Sequence, residues 1–157
     1  MLEKTNALRI VERLKIPHRA HVYEAAASNT GVETAAMLGQ DPQRVFKTLV
    51  ASGKSGKHYV FVIPVGKSLD LKKSAKAAGE KSVEMLKQKD LLPLTGYVHG
   101  GCSPIGMKKF FTTTVDSSAE RQPSIIFSGG RIGLQLEMAP GDLAKAIQFK
   151  YADIASD

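Results

Sequence analysis

The chain has 157 residues, of which 43% are hydrophobic and 24% are charged, and this length predicts one globular domain over residues 1–157. No apolar run approaches the roughly 20 residues that cross a bilayer. The polar start, with Glu3 and Lys4, is unlike a secretory signal. We therefore expect a cytoplasmic protein without membrane contacts. The single cysteine, Cys102, excludes an internal disulfide and a multi-cysteine zinc site.

The net charge of +7 indicates the class of partner. Clustered basic side chains are typical of surfaces that bind a polyanion, above all nucleic acid. No zinc finger or helix-turn-helix pattern accompanies them, so backbone contacts are favoured over base reading. The alternative is a solvated face that only keeps the protein soluble. The clustered lysines are Lys72, Lys73, Lys76, Lys81, Lys87, Lys89, Lys108 and Lys109.

The first half of the chain predicts helices interspersed with strands. Leu8, Val11 and Leu14 lie on one face of the first helix, which Ile16-Pro17 ends. Gly39 is placed to close the second helix in a left-handed conformation. The predicted ranges are helix 3–15, strand 18–24, helix 31–38, and strands 45–52 and 57–64 on either side of a glycine-rich hairpin turn.

The second half continues the same pattern. Asp70 is expected to cap a helix that runs to Ala78 and is closed by Gly79. The last helix is expected to start around Pro140. Between them lie an apolar segment at 82–86, a short helix towards Leu92-Pro93, and strands at 109–115, 124–128 and 132–138. The whole predicts an α+β fold with a mixed, largely antiparallel sheet or a partly closed barrel flanked by helices.

Lys47 stands inside an apolar run that begins at Val45 and Phe46 and continues through Leu49 and Val50. Burying an unpaired ammonium group is costly, so a lysine kept in such a place often has a function. The alternative is a lysine on the solvent face, because the two-residue period of a strand turns it away from Phe46. The spacing alone does not decide between these interpretations.

Two glycine-rich loops are further candidates. Four glycines and a proline between Gly96 and Gly106 specify a definite backbone path. The amides of Gly100 and Gly101 could approach a ligand and meet a developing oxyanion. The second loop, Ser128-Gly129-Gly130, offers a hydroxyl beside two glycines and is not a phosphate-binding P-loop. The alternative for the first loop is a connection between hairpins that needs positive φ.

Cys102 and His99 suggest a thiol nucleophile beside an imidazole. Three residues of separation on a loop do not establish a contact, and a lone cysteine is more often a small buried apolar residue. The other histidines show no metal-ligand spacing, so no metal site is expected.

Four motifs occur in order along the chain, and together they resemble the YbaK/EbsC family of freestanding aminoacyl-tRNA deacylases. That family is related to the editing domain inserted in bacterial prolyl-tRNA synthetases. The resemblance extends over nearly the whole chain. The motifs are Phe46-Lys47-Thr48-Leu49, the segment from Leu69 to Lys76, Thr95-Gly96-Tyr97 with Gly100-Gly101-x-Ser103-Pro104-x-Gly106-x-Lys108-Lys109, and Ser128-Gly129-Gly130.

The resemblance implies removal of cysteine from mischarged Cys-tRNA(Pro), and also from Cys-tRNA(Cys). An apolar pocket separates near-isosteres such as cysteine and proline by only about 1–3 kcal/mol, so a second site must remove the error. In this family the substrate's own thiol attacks the ester and releases tRNA and a cyclic thiolactone. No protein nucleophile, cofactor or metal is then expected, and the expected partners are charged tRNA and prolyl-tRNA synthetase.

Residue by residue, the resemblance implies that Lys47 is catalytic, either holding the terminal nucleotide or stabilising charge on the ester. Gln135 stands where some relatives carry an aspartate, and Glu137, on the same strand face, is a candidate substitute for holding the amino group. Thr30 replaces an aromatic residue of several relatives. The implied substrate-binding residues are Tyr23, Thr48, Gly100, Gly101, Ser128 and Gln135.

Two other functions stay open at this point. One is a deacylase of Ala-tRNA(Pro) that uses water, since alanine has no thiol. The other is a non-catalytic regulator that binds tRNA or a synthetase. Retention of Lys47 and of the loop from Gly100 favours an active site over a bare scaffold.

Overall fold

The computed structural model describes residues 4–24 and 30–157, which form five α-helices and ten strands. The helices are α1 (Asn6–Arg13), α2 (Gly31–Met37), α3 (Leu71–Ala78), α4 (Gln88–Thr95) and α5 (Pro140–Ala146). The strands are β1 (Arg19–Val22), β2 (Phe46–Gly53), β3 (His58–Pro64), β4 (Ser68–Leu69), β5 (Val83–Met85), β6 (Thr112–Asp116), β7 (Ile125–Arg131), β8 (Leu134–Met138), β9 (Lys150–Ala152) and β10 (Ala155–Ser156). A 3₁₀ helix, Ser117–Arg121, follows β6.

Local signals fix the ends of the helices. The Asp70 side chain accepts a hydrogen bond from the Lys73 amide at 3.0 Å, and Gly79 closes α3 with φ of 73°, so the prediction for this helix is confirmed. The prediction that Leu14 shares one face of the first helix with Leu8 and Val11 is wrong. Helix α1 ends at Arg13, so Leu14 falls at the C-cap, where it is 48% exposed.

The strands form three sheets. The largest has the order β5-β2-β3-β6-β9, a smaller one has the order β1-β8-β7, and β4 pairs with β10. Five of the seven strand pairings are antiparallel, while β3-β6 and β6-β9 are parallel. The α+β fold with a mixed, largely antiparallel sheet is confirmed. Within the described ranges no sheet closes on itself, so the strands do not form a closed barrel.

Two apolar cores cover opposite faces of β2 and β3. Phe46, Val50, Val60 and Val62 belong to the main core, which continues into the inner face of the small sheet and the buried side of α1. Residues of the other face, such as Phe61 and Ile63, pack with Ala75 of α3 in a second core. This division follows from strand alternation, and it decides which side chains of β2 can meet one ligand. In the described part of the chain, no helix is long and apolar enough to span a membrane.

Candidate active site

Among residues 4–24 and 30–157, one isolated β-bridge joins the backbones of the two main sheets. Val45, just before β2, forms a parallel bridge with Ile126 of β7. The amide of Ile126 donates to the Arg44 carbonyl at 2.8 Å, and the amide of Val65 donates to the Val45 carbonyl at 2.9 Å. The side chains of Val45 and Ile126 pack together with Ala35 and Val65 in a small apolar cluster. This bridge sets the relative position of β2 and β7.

Three of the predicted site residues share one face at this junction. Lys47 and Ser128 each lie two residues beyond the bridge, so their side chains return to the face of Val45 and Ile126. Gln135 of β8 is the register partner of Ser128, and paired residues of neighbouring strands point to the same face. The topology therefore brings Lys47, Ser128 and Gln135 to one surface.

Lys47 is half-buried on this surface. Its cross-strand neighbour is the fully buried Ile63, and desolvation lowers the pKa of the Lys47 ammonium group. Within residues 4–24 and 30–157, Lys47 has neither a hydrogen bond nor an ion pair from its side chain. The side chain is thus a desolvated cation without a counter-charge in this part of the chain, as expected of a group that meets a ligand.

The Thr48 side chain lies on the opposite face. Its register partner is Val62, a residue of the main core. Thr48 Oγ1 is buried and finds no hydrogen-bond partner among the described residues. The structure therefore does not bring the Thr48 side chain to Lys47, because neighbouring residues of a strand point to opposite faces.

Gln135 is held by another amide. Nε2 of Gln40 donates to Oε1 of Gln135 at 2.8 Å, and Nε2 of Gln135 donates back to Oε1 of Gln40 at 3.4 Å. Gln135 itself is only 6% exposed. The pair leaves one N–H and one lone-pair direction of Gln135 for a ligand.

Glu137 occupies the same face of β8, but its carboxylate is already engaged. Oε1 lies 2.8 Å from Nε2 of His21, and Oε2 accepts from Arg44 Nη2 at 2.9 Å and from Ser124 Oγ at 2.5 Å. Burial alone raises the pKa of Glu137, but the hydrogen bonds from Ser124 and His21 and the charges of His21 and Arg44 outweigh it and lower the pKa. Glu137 therefore holds the sheet together, and the structure does not support it as a substitute for a ligand-binding carboxylate.

Tyr23 lies at the edge of this surface, just after β1. Its amide donates to the Gly133 carbonyl at 2.9 Å, which continues the pairing of β1 with β8. A Cβ atom added at Gly133 would lie 3.0 Å from the Tyr23 carbonyl oxygen and 3.2 Å from Nη1 of Arg131. Tyr23 and the Arg131 guanidinium therefore flank the turn between β7 and β8.

The glycine loop from Gly96 to Gly106 packs on that turn. A Cβ atom added at Gly101 would lie 3.0 Å from Arg131 Cα and 3.1 Å from Ile132 N, so only glycine allows the two backbones to approach this closely. The Gly101 amide donates to the Val98 carbonyl at 3.0 Å, so it is not free to meet an oxyanion. The structure therefore does not support the oxyanion role predicted for this amide. Gly100 is exposed, with φ of 85°.

Cys102 belongs to the main core. It is 7% exposed, and burial raises the pKa of its thiol to about 11, with a hydrogen bond to Thr95 acting in the opposite direction. A thiol with this pKa is almost entirely protonated at neutral pH and is a poor nucleophile. His99 is exposed. The structure therefore favours the interpretation of Cys102 as a buried apolar residue.

Residues 25–146 of the chain match the family described as the aminoacyl-tRNA editing domain. The chain belongs to this family. The Enterococcus faecalis protein EbsC, described as a candidate Cys-tRNA(Pro)/Cys-tRNA(Cys) deacylase, is 44% identical to it over 155 residues, which cover 98% of this chain and 94% of EbsC. The resemblance to the YbaK/EbsC family is confirmed.

Solved structures show that the editing-domain fold is shared. A hypothetical protein superposes with a TM-score of 0.88 at 26% identity, covering 97% of this chain and 100% of that one. A candidate trans-editing enzyme for prolyl tRNA synthetase superposes with a TM-score of 0.83 at 22% identity, covering 99% of this chain and 100% of that one.

Several residues of this editing domain that shape the candidate site were not predicted. Gln40 carried no signal, because its partner Gln135 is 95 residues away. The same is true of His21, Arg44 and Ser124 around Glu137, which converge only when β1, β8 and the segment before β2 meet. Lys47 and Ser128 did have local signals, a cation inside an apolar run and a hydroxyl beside two glycines, and the family resemblance implied their roles.

The predicted lysine surface of the editing domain is exposed and mostly unpaired. Lys73 lies 3.0 Å from Asp153, and Nζ of Lys108 lies 3.4 Å from the Pro93 carbonyl oxygen. In the described part of the chain, no carboxylate lies within salt-bridge distance of the other six lysines of the surface. Those six are Lys72, Lys76, Lys81, Lys87, Lys89 and Lys109.

Proposed function

We propose that this editing domain is a trans-editing deacylase that removes cysteine from mischarged Cys-tRNA(Pro) and from Cys-tRNA(Cys). The observation that carries the proposal is the desolvated Lys47 cation on one face with Ser128 and Gln135, while the only thiol of the chain is buried in the core. A site that offers a cation and no protein thiol fits a substrate that brings its own thiol. The identity of 44% to EbsC supports the same substrate class.

In the proposed reaction, the sulfur of the substrate cysteine bonds to the carbonyl carbon of the aminoacyl ester. The bond from that carbon to the ribose oxygen breaks, and the thiol proton ends on the ribose hydroxyl group. Uncharged tRNA and a cyclic thiolactone are the products. The attack is intramolecular, so holding the substrate in the reactive conformation contributes a large part of the rate.

The site residues have distinct proposed roles. Lys47 stabilises negative charge on the ester oxygens, an effect that is strong in a desolvated site. Ser128 Oγ already accepts a hydrogen bond from the Gly130 amide at 3.1 Å, which leaves its O–H free to donate to the substrate. Gln135 offers a neutral amide to the amino group. Tyr23 and Gly100 border the substrate, Gly101 holds the loop on the hairpin, and Thr48 contributes through its backbone.

Charged tRNA is the proposed partner, and association with prolyl-tRNA synthetase stays a prediction, as does the cytoplasmic location. The test is to incubate the protein with tRNA(Pro) charged with cysteine, alanine or proline and to follow release of each amino acid. Release of cysteine alone is expected. Preferential release of alanine would support the Ala-tRNA(Pro) deacylase, and tRNA binding without any release would support the regulator. Adding prolyl-tRNA synthetase tests the second partner.

A further inference from the structure

An apolar cavity with cations at its rim lies beside the glycine loop and has no role in the proposed reaction. It has a volume of about 200 Å³, and its lining includes Ile10, Met107, Lys109, Phe110, Phe111 and Ile147. Phe110 is 66% exposed, more than any other large apolar side chain in the described part of the chain. An exposed ring that continues into an apolar cavity is typical of a surface that binds a ligand or a partner.

The surroundings of Phe110 are basic. Lys108 and Lys109 precede it directly and are both exposed. Asn6, Ile10 and Arg13 lie on one face of α1, about one turn apart. Nδ2 of Asn6 donates to the Gly106 carbonyl at 2.7 Å, which holds this face of the helix against the glycine loop. No acidic side chain lines the cavity, and neither Arg13 nor Lys109 is in an ion pair with any described residue.

We propose that Phe110 stacks on an unpaired base near the 3′ end of charged tRNA, while Lys108 and Lys109 contact the adjacent phosphates. An exposed aromatic ring between cations is the usual arrangement for binding single-stranded nucleic acid. A protein partner fits less well, because lysine is depleted at the centre of protein interfaces and a stable interface needs about 800 Å² on each side. This inference rests on the proposed function for the identity of the RNA.

The position of the cavity fits this occupant. Gly101 packs on the hairpin beside Tyr23, and Pro104, three residues later, lines the cavity. Three residues span at most about 11 Å. The cavity therefore begins within about 11 Å of Gly101, the part of the glycine loop that packs beside Tyr23.

The decisive variants are Phe110→Ala and Phe110→Trp, with Met85→Ala as the matched control, because Met85 is an exposed apolar residue (43%) on the edge strand β5. Dissociation constants for uncharged tRNA(Pro) are measured at several salt concentrations with the full chain. Phe110→Ala should weaken binding by about 5- to 150-fold, the equivalent of one stacked base at about 1–3 kcal/mol. Phe110→Trp and Met85→Ala should bind like the wild type.

A second readout separates stacking from charge. Phe110→Ala should leave the salt dependence of binding unchanged, because stacking releases no counterions, whereas Lys109→Gln should flatten it. In deacylation of cysteine-charged tRNA, Phe110→Ala should raise KM and leave kcat nearly unchanged. With a cysteine ester of adenosine alone, which lacks the neighbouring bases, Phe110→Ala and wild type should react alike.

Wild-type affinity of Phe110→Ala for tRNA would overturn the inference. A loss of tRNA affinity that appears only when prolyl-tRNA synthetase is present would also overturn it, because that result would assign the cavity to a protein partner. These results are distinct from failure of the proposed function. A wild-type protein that binds uncharged tRNA through Phe110 but releases no amino acid would refute the deacylase and support the stacking contact.

Discussion

The side-chain amides of Gln40 and Gln135 face each other, with Nε2 of Gln40 2.8 Å from Oε1 of Gln135. Gln135 is buried at the end of this pair, so its free N–H and lone pair point in directions that Gln40 dictates. Gln40, which lies just after α2, therefore orients a residue of the candidate site from another part of the chain.

Replacing Gln40 tests this coupling. Gln40→Ala leaves the buried Oε1 of Gln135 without its donor, and we expect a loss of about 1–2 kcal/mol in the free energy of unfolding. We also expect a higher KM for charged tRNA, because Gln135 loses its fixed orientation. Gln43→Ala, an exposed position three residues on, is the control. Urea denaturation and steady-state deacylation give both quantities, and unchanged kinetics in Gln40→Ala would exclude a positioning role.

Lys47→Ala should abolish deacylation without unfolding the protein. Burial lowers the pKa of Lys47 below its ordinary value of 10.5, so the charged form is disfavoured in the folded state. Removing it should raise the free energy of unfolding at neutral pH, and this gain should fade as the pH rises through the folded pKa towards 10.5. The exposed Lys54→Ala is the control. A folded Lys47→Ala protein with near-normal turnover would contradict the catalytic assignment.

Cys102→Ser should keep most of the activity, because the attacking thiol is on the substrate. The buried hydroxyl group should lower the free energy of unfolding by about 1–3 kcal/mol. Serine-charged tRNA should be a poor substrate for the wild type, since a hydroxyl is a weaker nucleophile. A thousandfold fall in kcat for Cys102→Ser, equivalent to about 4 kcal/mol, would instead identify the protein thiol as the nucleophile.

Neutralising two groups of lysines within the lysine surface should show which group meets tRNA phosphates. The first group is Lys108 and Lys109, and the second is Lys72, Lys73 and Lys76, in which Lys73 is already engaged by Asp153. Each lost phosphate contact should reduce the slope of log affinity against log salt by nearly one unit and raise KM more than it lowers kcat. Lys54 with Lys57, in the hairpin turn, serves as the control pair. Salt slopes equal to that of the wild type would leave the lysines as a solubilising face.

Glu137→Gln should destabilise the fold and change its response to acid. The pKa of Glu137 lies below its ordinary value of 4.5, so its stabilising effect is complete above that value and is lost as the pH falls through the folded pKa. We expect a loss of about 1–3 kcal/mol at neutral pH, because Arg44 and His21 lose a charged acceptor. Thermal unfolding between pH 7 and pH 3 should give a flatter profile for the variant, and parallel profiles would contradict this account.

Elements with local signals were predicted well, and elements defined by distant partners were not. Helix α3 has its cap, Asp70, and its closing residue, Gly79, within ten residues of one another, and its bounds follow from the sequence. Strands β4 and β10 have two residues each and exist only because Leu69 pairs with Ala155, so neither was predicted. Short strands of this kind lack a hydrophobic period of their own.

The candidate site shows the same division. The two-residue period of β2 already places Lys47 and Thr48 on opposite faces. The prediction that Thr48 binds substrate came from the family resemblance, and the strand geometry argues against it for the Thr48 side chain. That Lys47 shares its face with Ser128 depends on the bridge between Val45 and Ile126, which joins residues 81 positions apart. No local pattern carries that information.

The narrow connection between Val45 and Ile126 also bears on how the protein loses its activity. The strand ends beside this one bridge can open by local unfolding while the main core still holds the two sheets together. Lys47 belongs to one sheet and Ser128 with Gln135 to the other, so such an opening would separate the residues of the candidate site first. Amide hydrogen exchange at Ile126 and Val65 should then outpace exchange in the middle of β3, and deacylation should vanish at denaturant concentrations where circular dichroism is still native. The enzyme would thus inactivate well before it denatures.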